Sequence, residues 1–216
     1  MSQIFRRSSN SLAKVSIVAA LLSIVTVVWA AYRIDQGSFS TEVEIPKQQP
    51  VQFSHRHHVS NIGIDCRYCH TSVEVSGFAG IPPTELCMGC HSQIWANAEA
   101  LAPVRDSYRT GIPIRWNRVH DLPDFVYFNH SIHLNKGIGC SSCHGRVDNM
   151  QLMYKAYSMH MQWCLECHRE PERFVRPRSE LYNMAYEAPP NQLELGRRLV
   201  AEYKVLSLTD CVVCHR

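Results

Sequence analysis

The chain has 216 residues, 45% of them hydrophobic, with 22 Lys and Arg against 19 Asp and Glu. That length holds one ordinary domain or two small ones. The net charge of +3 resides in Arg6, Arg7 and Lys14, and the rest of the chain carries 19 charges of each sign, a balance that argues against nucleic acid as a partner.

Residues 1–14 hold those three basic side chains and no acidic one, and residues 15–32 are 18 consecutive uncharged positions. A run of that length spans a bilayer as a single transmembrane helix. Trp29 and Tyr32 suit the interface at its far end, and the basic flank keeps the N-terminus cytoplasmic. A cleaved signal peptide is the alternative, with Val28-Trp29-Ala30 as a tolerable site, but its apolar core would be unusually long. The expectation is a single-pass anchor in a bacterial cytoplasmic membrane, with everything beyond it in the periplasm. Residues 33–50 contain two prolines and several charges and read as a linker.

From residue 51 onward a five-residue word recurs: Cys66-Arg67-Tyr68-Cys69-His70, Cys87-Met88-Gly89-Cys90-His91, Cys140-Ser141-Ser142-Cys143-His144, Cys164-Leu165-Glu166-Cys167-His168 and Cys211-Val212-Val213-Cys214-His215. All ten cysteines are used. With 10 Cys and 12 His, chance placement gives roughly 0.03 such words, so the pattern answers a chemical requirement. Two thiols at this spacing add to the two vinyl groups of one haem, and the next residue, His, lies beneath the iron. A disulfide framework, a zinc site or a thioredoxin-like pair can also use Cys-x-x-Cys, but none requires His after every pair. Five covalently bound haem c groups are therefore expected, with His70, His91, His144, His168 and His215 as proximal ligands. The arginines of the exported part then serve to neutralise haem propionates.

An internal repeat frames the words. Phe53-Ser54-His55-Arg56-His57-His58 precedes the first and Phe128-Asn129-His130-Ser131-Ile132-His133 precedes the third, which gives units 53–91 and 128–168 and leaves the fifth word, 211–215, alone. A helix is expected over 84–101. A second should start after Asn191 as cap, with Leu195, Leu199 and Tyr203 on one face. No stretch alternates as a strand does. The predicted class is mainly α with extensive loops: a multihaem cytochrome c domain over 51–216 in which the haems supply most of the buried apolar surface. The apoprotein should be unfolded.

Each iron needs a ligand on its other face. Residues three apart on a helical turn point to one side, so a His-x-x-His pair can serve two neighbouring haems. His55, His58, His130 and His133 are the candidates, and His120 completes the set. His57 and His160 read as ordinary polar histidines. Met161 offers one His/Met alternative, although packing against a porphyrin edge is the preferred reading.

The repeat resembles the class III, cytochrome c7-like multihaem fold. The larger pattern resembles the pentahaem cytochrome subunit of bacterial alternative complex III: an N-terminal anchor, Phe53-Ser54-His55, Cys87 to His91, Trp116 to Pro123, Phe125 to His130 and Met161-Gln162-Trp163-Cys164. That resemblance implies an electron-relay subunit rather than an enzyme. Integral membrane subunits would oxidise quinol, an iron–sulfur subunit of molybdoenzyme ancestry would bind alongside, and a monohaem cytochrome c or a terminal oxidase would receive the electrons. It also supports the same five distal histidines. A multihaem reductase would need an open or Lys-ligated iron, against the His at the end of every word. An anchored multihaem quinol dehydrogenase feeding a periplasmic reductase is the remaining alternative, and the five haems and the class III repeat argue against it.

Overall fold

A computed structural model describes residues 4–215, which form two compact units, Met1–Val43 and Glu44–Arg216. The first is dominated by a helix, Ser9–Asp35, long and apolar enough to cross a membrane, with no residue buried within the unit. At 1.5 Å per residue it is about 40 Å long, against about 30 Å of hydrocarbon, so it continues beyond the uncharged run at both ends. Its internal hydroxyls return to the helix backbone: Ser16 donates to the Ala13 carbonyl, Ser23 to Ala19 and Thr26 to Leu22. Those three hydroxyls are then not left to be satisfied by lipid. Arg33 lies over the Trp29 ring at 5.8 Å, where a cation and an indole suit the membrane–water boundary. The helix stops at Gly37, whose backbone is extended.

The second unit is mainly helical, in short pieces joined by loops, and no strand forms among the described residues beyond an isolated bridge between Val126 and His215. Each word occupies a helical turn: Cys66–Cys69, the end of Thr84–His91, Cys140–His144, the end of Met161–Arg169, and Cys211–Cys214. This is what the spacing demands, because Cys at i and i+3 then share one side of the turn.

The helix expected over 84–101 is interrupted. Thr84–His91 ends at the second word, Trp95 takes a left-handed backbone (φ 55°), and the chain resumes in a 3-10 turn at Glu99–Leu101 and a helix at Ala102–Thr110. Arg105 holds the break by donating to the Ala96 and Ala98 carbonyls, the second of which also accepts from the Leu101 N–H. Helix Gln192–Glu202 begins after Asn191 as expected, but Asn191 makes no side-chain cap. Gln192 fastens that end instead, donating to the carbonyls of Glu172 and Val175.

Side chains build only a small core. Val175, Leu199 and Tyr203 form its centre, with Ile138, Leu195, Val200 and Val205 around them. Gly196 is the closest approach, since a Cβ there would overlap the Glu172 carbonyl. Gly196→Ala should therefore lower the stability of the haem-loaded protein by about 1–3 kcal/mol through overpacking. Gly89→Ala, inside Thr84–His91, meets nothing within 4 Å and should instead leave it unchanged or raise it by up to about 1 kcal/mol. Denaturant melts of the two variants check the contrast.

Candidate functional site

The two Phe-x-His-x-x-His segments fold alike around their aromatic residue. Phe53 meets His55 edge-on at 4.9 Å between ring centres and stacks on His58 at 4.4 Å. Phe128 meets His130 edge-on at 4.8 Å and stacks on His133 at 4.3 Å. In both, the second imidazole donates from Nδ1 to a carbonyl four residues back, His58 to Ser54 at 2.9 Å and His133 to Asn129 at 2.8 Å. The helices differ. His130–Asn135 is an α-helix capped by the Asn129 side chain, whereas Arg56–Asn61 is a π-helix in which Ser54 takes the capping place, accepting from the His57 N–H.

Four other imidazoles are oriented in the same way. His70 donates from Nδ1 to Gly80 at 2.7 Å, His91 to Ile94 at 3.0 Å, His130 to Gly77 at 3.0 Å and His215 to Phe125 at 3.3 Å. A carbonyl can only accept, so each of these rings keeps its proton on Nδ1 and presents a bare Nε2 lone pair. That is the form in which histidine binds iron, and the Nδ1 bond fixes the ring angle and raises its basicity.

The ring separations test the match to a bis-imidazole iron. Two ligands on opposite faces of one metal place their ring centres roughly 6 Å apart, since each metal–nitrogen bond is about 2 Å long. His58 and His91 lie at 6.2 Å, His130 and His144 at 6.3 Å, and His133 and His168 at 6.0 Å. His70 is an electrostatic neighbour of His55. His120 sits edge-on to His144 at 4.3 Å, too close for those two to oppose each other across one iron. Its Nε2 is buried without a hydrogen-bond partner, as is Nδ1 of His55 and of His144. Burial holds the imidazoles of His55 and His120 down to about 4 and that of His144 to about 3, so all three stay neutral at pH 7. The ring contact of His215 is with Phe125, at 5.8 Å. His57 is exposed and stacks on Trp95, and Met161 is exposed.

Seven of the thiols, those of the first, third and fourth words and of Cys87, lack the character of metal or redox cysteines, since burial raises each of them. Burial pushes Cys143 up to about 12 and Cys140 and Cys167 to about 11, the opposite of the low-pKa thiolates that zinc sites and disulfide exchange use. Apolar sulfurs on one side of a turn, followed by an imidazole, fit thioether attachment of a porphyrin.

Residues 126–216 match the family described as cytochrome c7 and related cytochrome c. The matched segment contains the third, fourth and fifth words and the whole of the second repeat. The multihaem cytochrome c subunit of menaquinone reductase from Nitratidesulfovibrio vulgaris is 36% identical to this chain over 99 residues, 45% of this chain and 46% of that protein. The chain thus matches less than half the length of that relative. The domain is accordingly a mainly helical, cytochrome c7-like one, and its residues fit covalently bound haem c.

Sequence spacing points to the histidine pairs but not to what orients them, because the acceptors Gly77 and Gly80 lie in no motif and Phe125 is far in sequence from the His215 it orients. The leading Phe of each repeat was readable as a motif, and its bracing role emerges only from the ring geometry. Phe128→Ala should loosen both imidazoles of its segment, at about 0.5–1.5 kcal/mol for each aromatic contact beyond the lost burial. Carbon monoxide should then bind the reduced variant more readily than the parent protein; difference spectra of the two measure it.

Proposed function

We propose that this chain is the membrane-anchored pentahaem cytochrome subunit of a quinone-linked respiratory complex and that it relays electrons without transforming a substrate itself. The observation that carries the reading is the coincidence of five Cys-x-x-Cys-His turns with histidine rings held about 6 Å apart by geometry of the protein's own making. In this reading Cys66, Cys69, Cys87, Cys90, Cys140, Cys143, Cys164, Cys167, Cys211 and Cys214 hold the porphyrins, and haem supplies the one-electron iron couple. The protein's part is to orient two imidazoles at each iron and to close it to other ligands. The proposed pairs are His55 with His70, His58 with His91, His130 with His144 and His133 with His168, so that each repeat sends its first histidine to its first word and its second to its second. His120, with its bare buried Nε2, completes the distal set.

The Ser9–Asp35 helix serves as the anchor, with the N-terminus cytoplasmic and the haem domain periplasmic. The complex we infer is of the alternative complex III type: quinol oxidised in integral membrane subunits, an iron–sulfur subunit bound alongside, and a cytochrome c or terminal oxidase as acceptor. The name of the menaquinone reductase relative favours a second direction of flow, from a periplasmic donor into the quinone pool.

Mass spectrometry of the mature chain should find five haem adducts as thioethers; free thiols or zinc in their place would refute the reading. Purification from membranes should bring quinone-binding and iron–sulfur subunits with the chain. Oxidation of quinol or reduction of quinone by that complex decides the direction, and turnover of quinol by the isolated chain would instead make it a quinol dehydrogenase. His130→Ala should turn one haem of the five high-spin and leave the others low-spin; an unchanged visible spectrum would remove His130 from the ligand set.

A further inference from the structure

Arg176 is the one arginine buried within the second unit among the described residues, 6% exposed, and it forms no ion pair. Its guanidinium packs on the third word. Nη1 donates to Ser141 Oγ at 3.1 Å and to the Asn183 carbonyl at 3.4 Å, and Nη2 donates to Ser142 Oγ at 2.8 Å. These serines are the two variable positions of Cys140-Ser141-Ser142-Cys143-His144, so the planar fork grips the turn that carries both sulfurs. The Tyr186 ring covers the other side at 4.4 Å, and the plane lies so close to Gly139 that a Cβ there would come within 2.6 Å of Nη1. Nε is buried with no partner. The nearest acid in electrostatic reach, Glu180, instead accepts from Asn183 at 2.7 Å.

Burying an unpaired cation is costly, and the neutral hydrogen bonds around it offset that cost only in part. A fixed positive charge in a poorly solvated setting disfavours the more positive, ferric state of a nearby iron and so raises its reduction potential.

We propose that Arg176 is a positioning and potential-setting residue for the haem held by Cys140, Cys143 and His144, clamping its attachment turn through Ser141 and Ser142 while holding a buried positive charge beside it. The inference rests on the reading of that word as a haem site. Haem adducts counted by mass spectrometry test that reading separately from the potential.

The experiment is a spectropotentiometric titration of the haem-loaded protein. Arg176→Met should retain five haems and lower the midpoint of one component of the titration, while Arg176→Lys, which keeps the charge and loses the fork, should leave that component near its original position. Ser142→Asp sets a carboxylate against the guanidinium and should lower the same component without deleting Arg176, so it reads the charge even if the Met variant fails to mature. Unmoved midpoints in Ser142→Asp, or an equal fall in the Lys and Met variants, would overturn the proposal.

Discussion

The structure depends on how little of itself the protein can bury. Among the described residues only Val51, Val104, Leu134, Met150, Val175, Leu181, Met184, Leu199 and Tyr203 are buried apolar side chains, and large residues such as Phe78, Ile94, Trp95 and Phe125 stay more than half exposed. Burial at roughly 25 cal/mol per Å2 is the main term favouring folding, and so small a set leaves most of the second unit without it. In the function proposed above, porphyrins attached at the word turns would supply the missing apolar surface. The words are spread over 66–215, so attachment of each successive group would draw another stretch of chain into contact with the rest.

That dependence explains the investment in orienting imidazoles. A chain with a thick core can position a ligand by packing alone. Here six of the histidines are held by an Nδ1 bond to a backbone carbonyl, two of these also by stacking on the phenylalanine that opens their repeat. The two repeats reach the same arrangement through different backbones, a π-helix after Ser54 and an α-helix after Asn129. What the repeat preserves is thus the placement of one Phe and two His rings, whichever helix type carries them.

How much of this was legible beforehand follows from the range of each interaction. Word turns, the apolar run and the paired repeats are set by residues within a few positions of each other, and the sequence shows them directly. The break after His91 escapes the pattern because it is stabilised from a distance, by Arg105 reaching back to Ala96 and Ala98. Likewise His70 and His130 find their acceptors in the same loop, at Gly80 and Gly77, which no motif marks. His120 was chosen as a fifth ligand by need. Its contact with His144 brings it into the central histidine cluster, a placement that chain spacing does not encode.

Charge obeys a similar division between near and far. Arg67 pairs with Asp65, Arg109 with Asp106, Arg118 with Asp121, Arg146 with Asp148 and Arg173 with Glu170, all over two or three residues and all with the arginine well exposed. Such pairs are screened by water and compensate each other where they stand, so they add little to the field inside. An arginine count therefore overstates how many cations are at the disposal of cofactor carboxylates. The field near any one iron is governed by the few charges that are buried and unpaired, and the balance of 19 against 19 outside the N-terminal segment says nothing about where those lie. In this fold the position is fixed by Gly139, whose missing side chain lets a guanidinium lie flat against the third word.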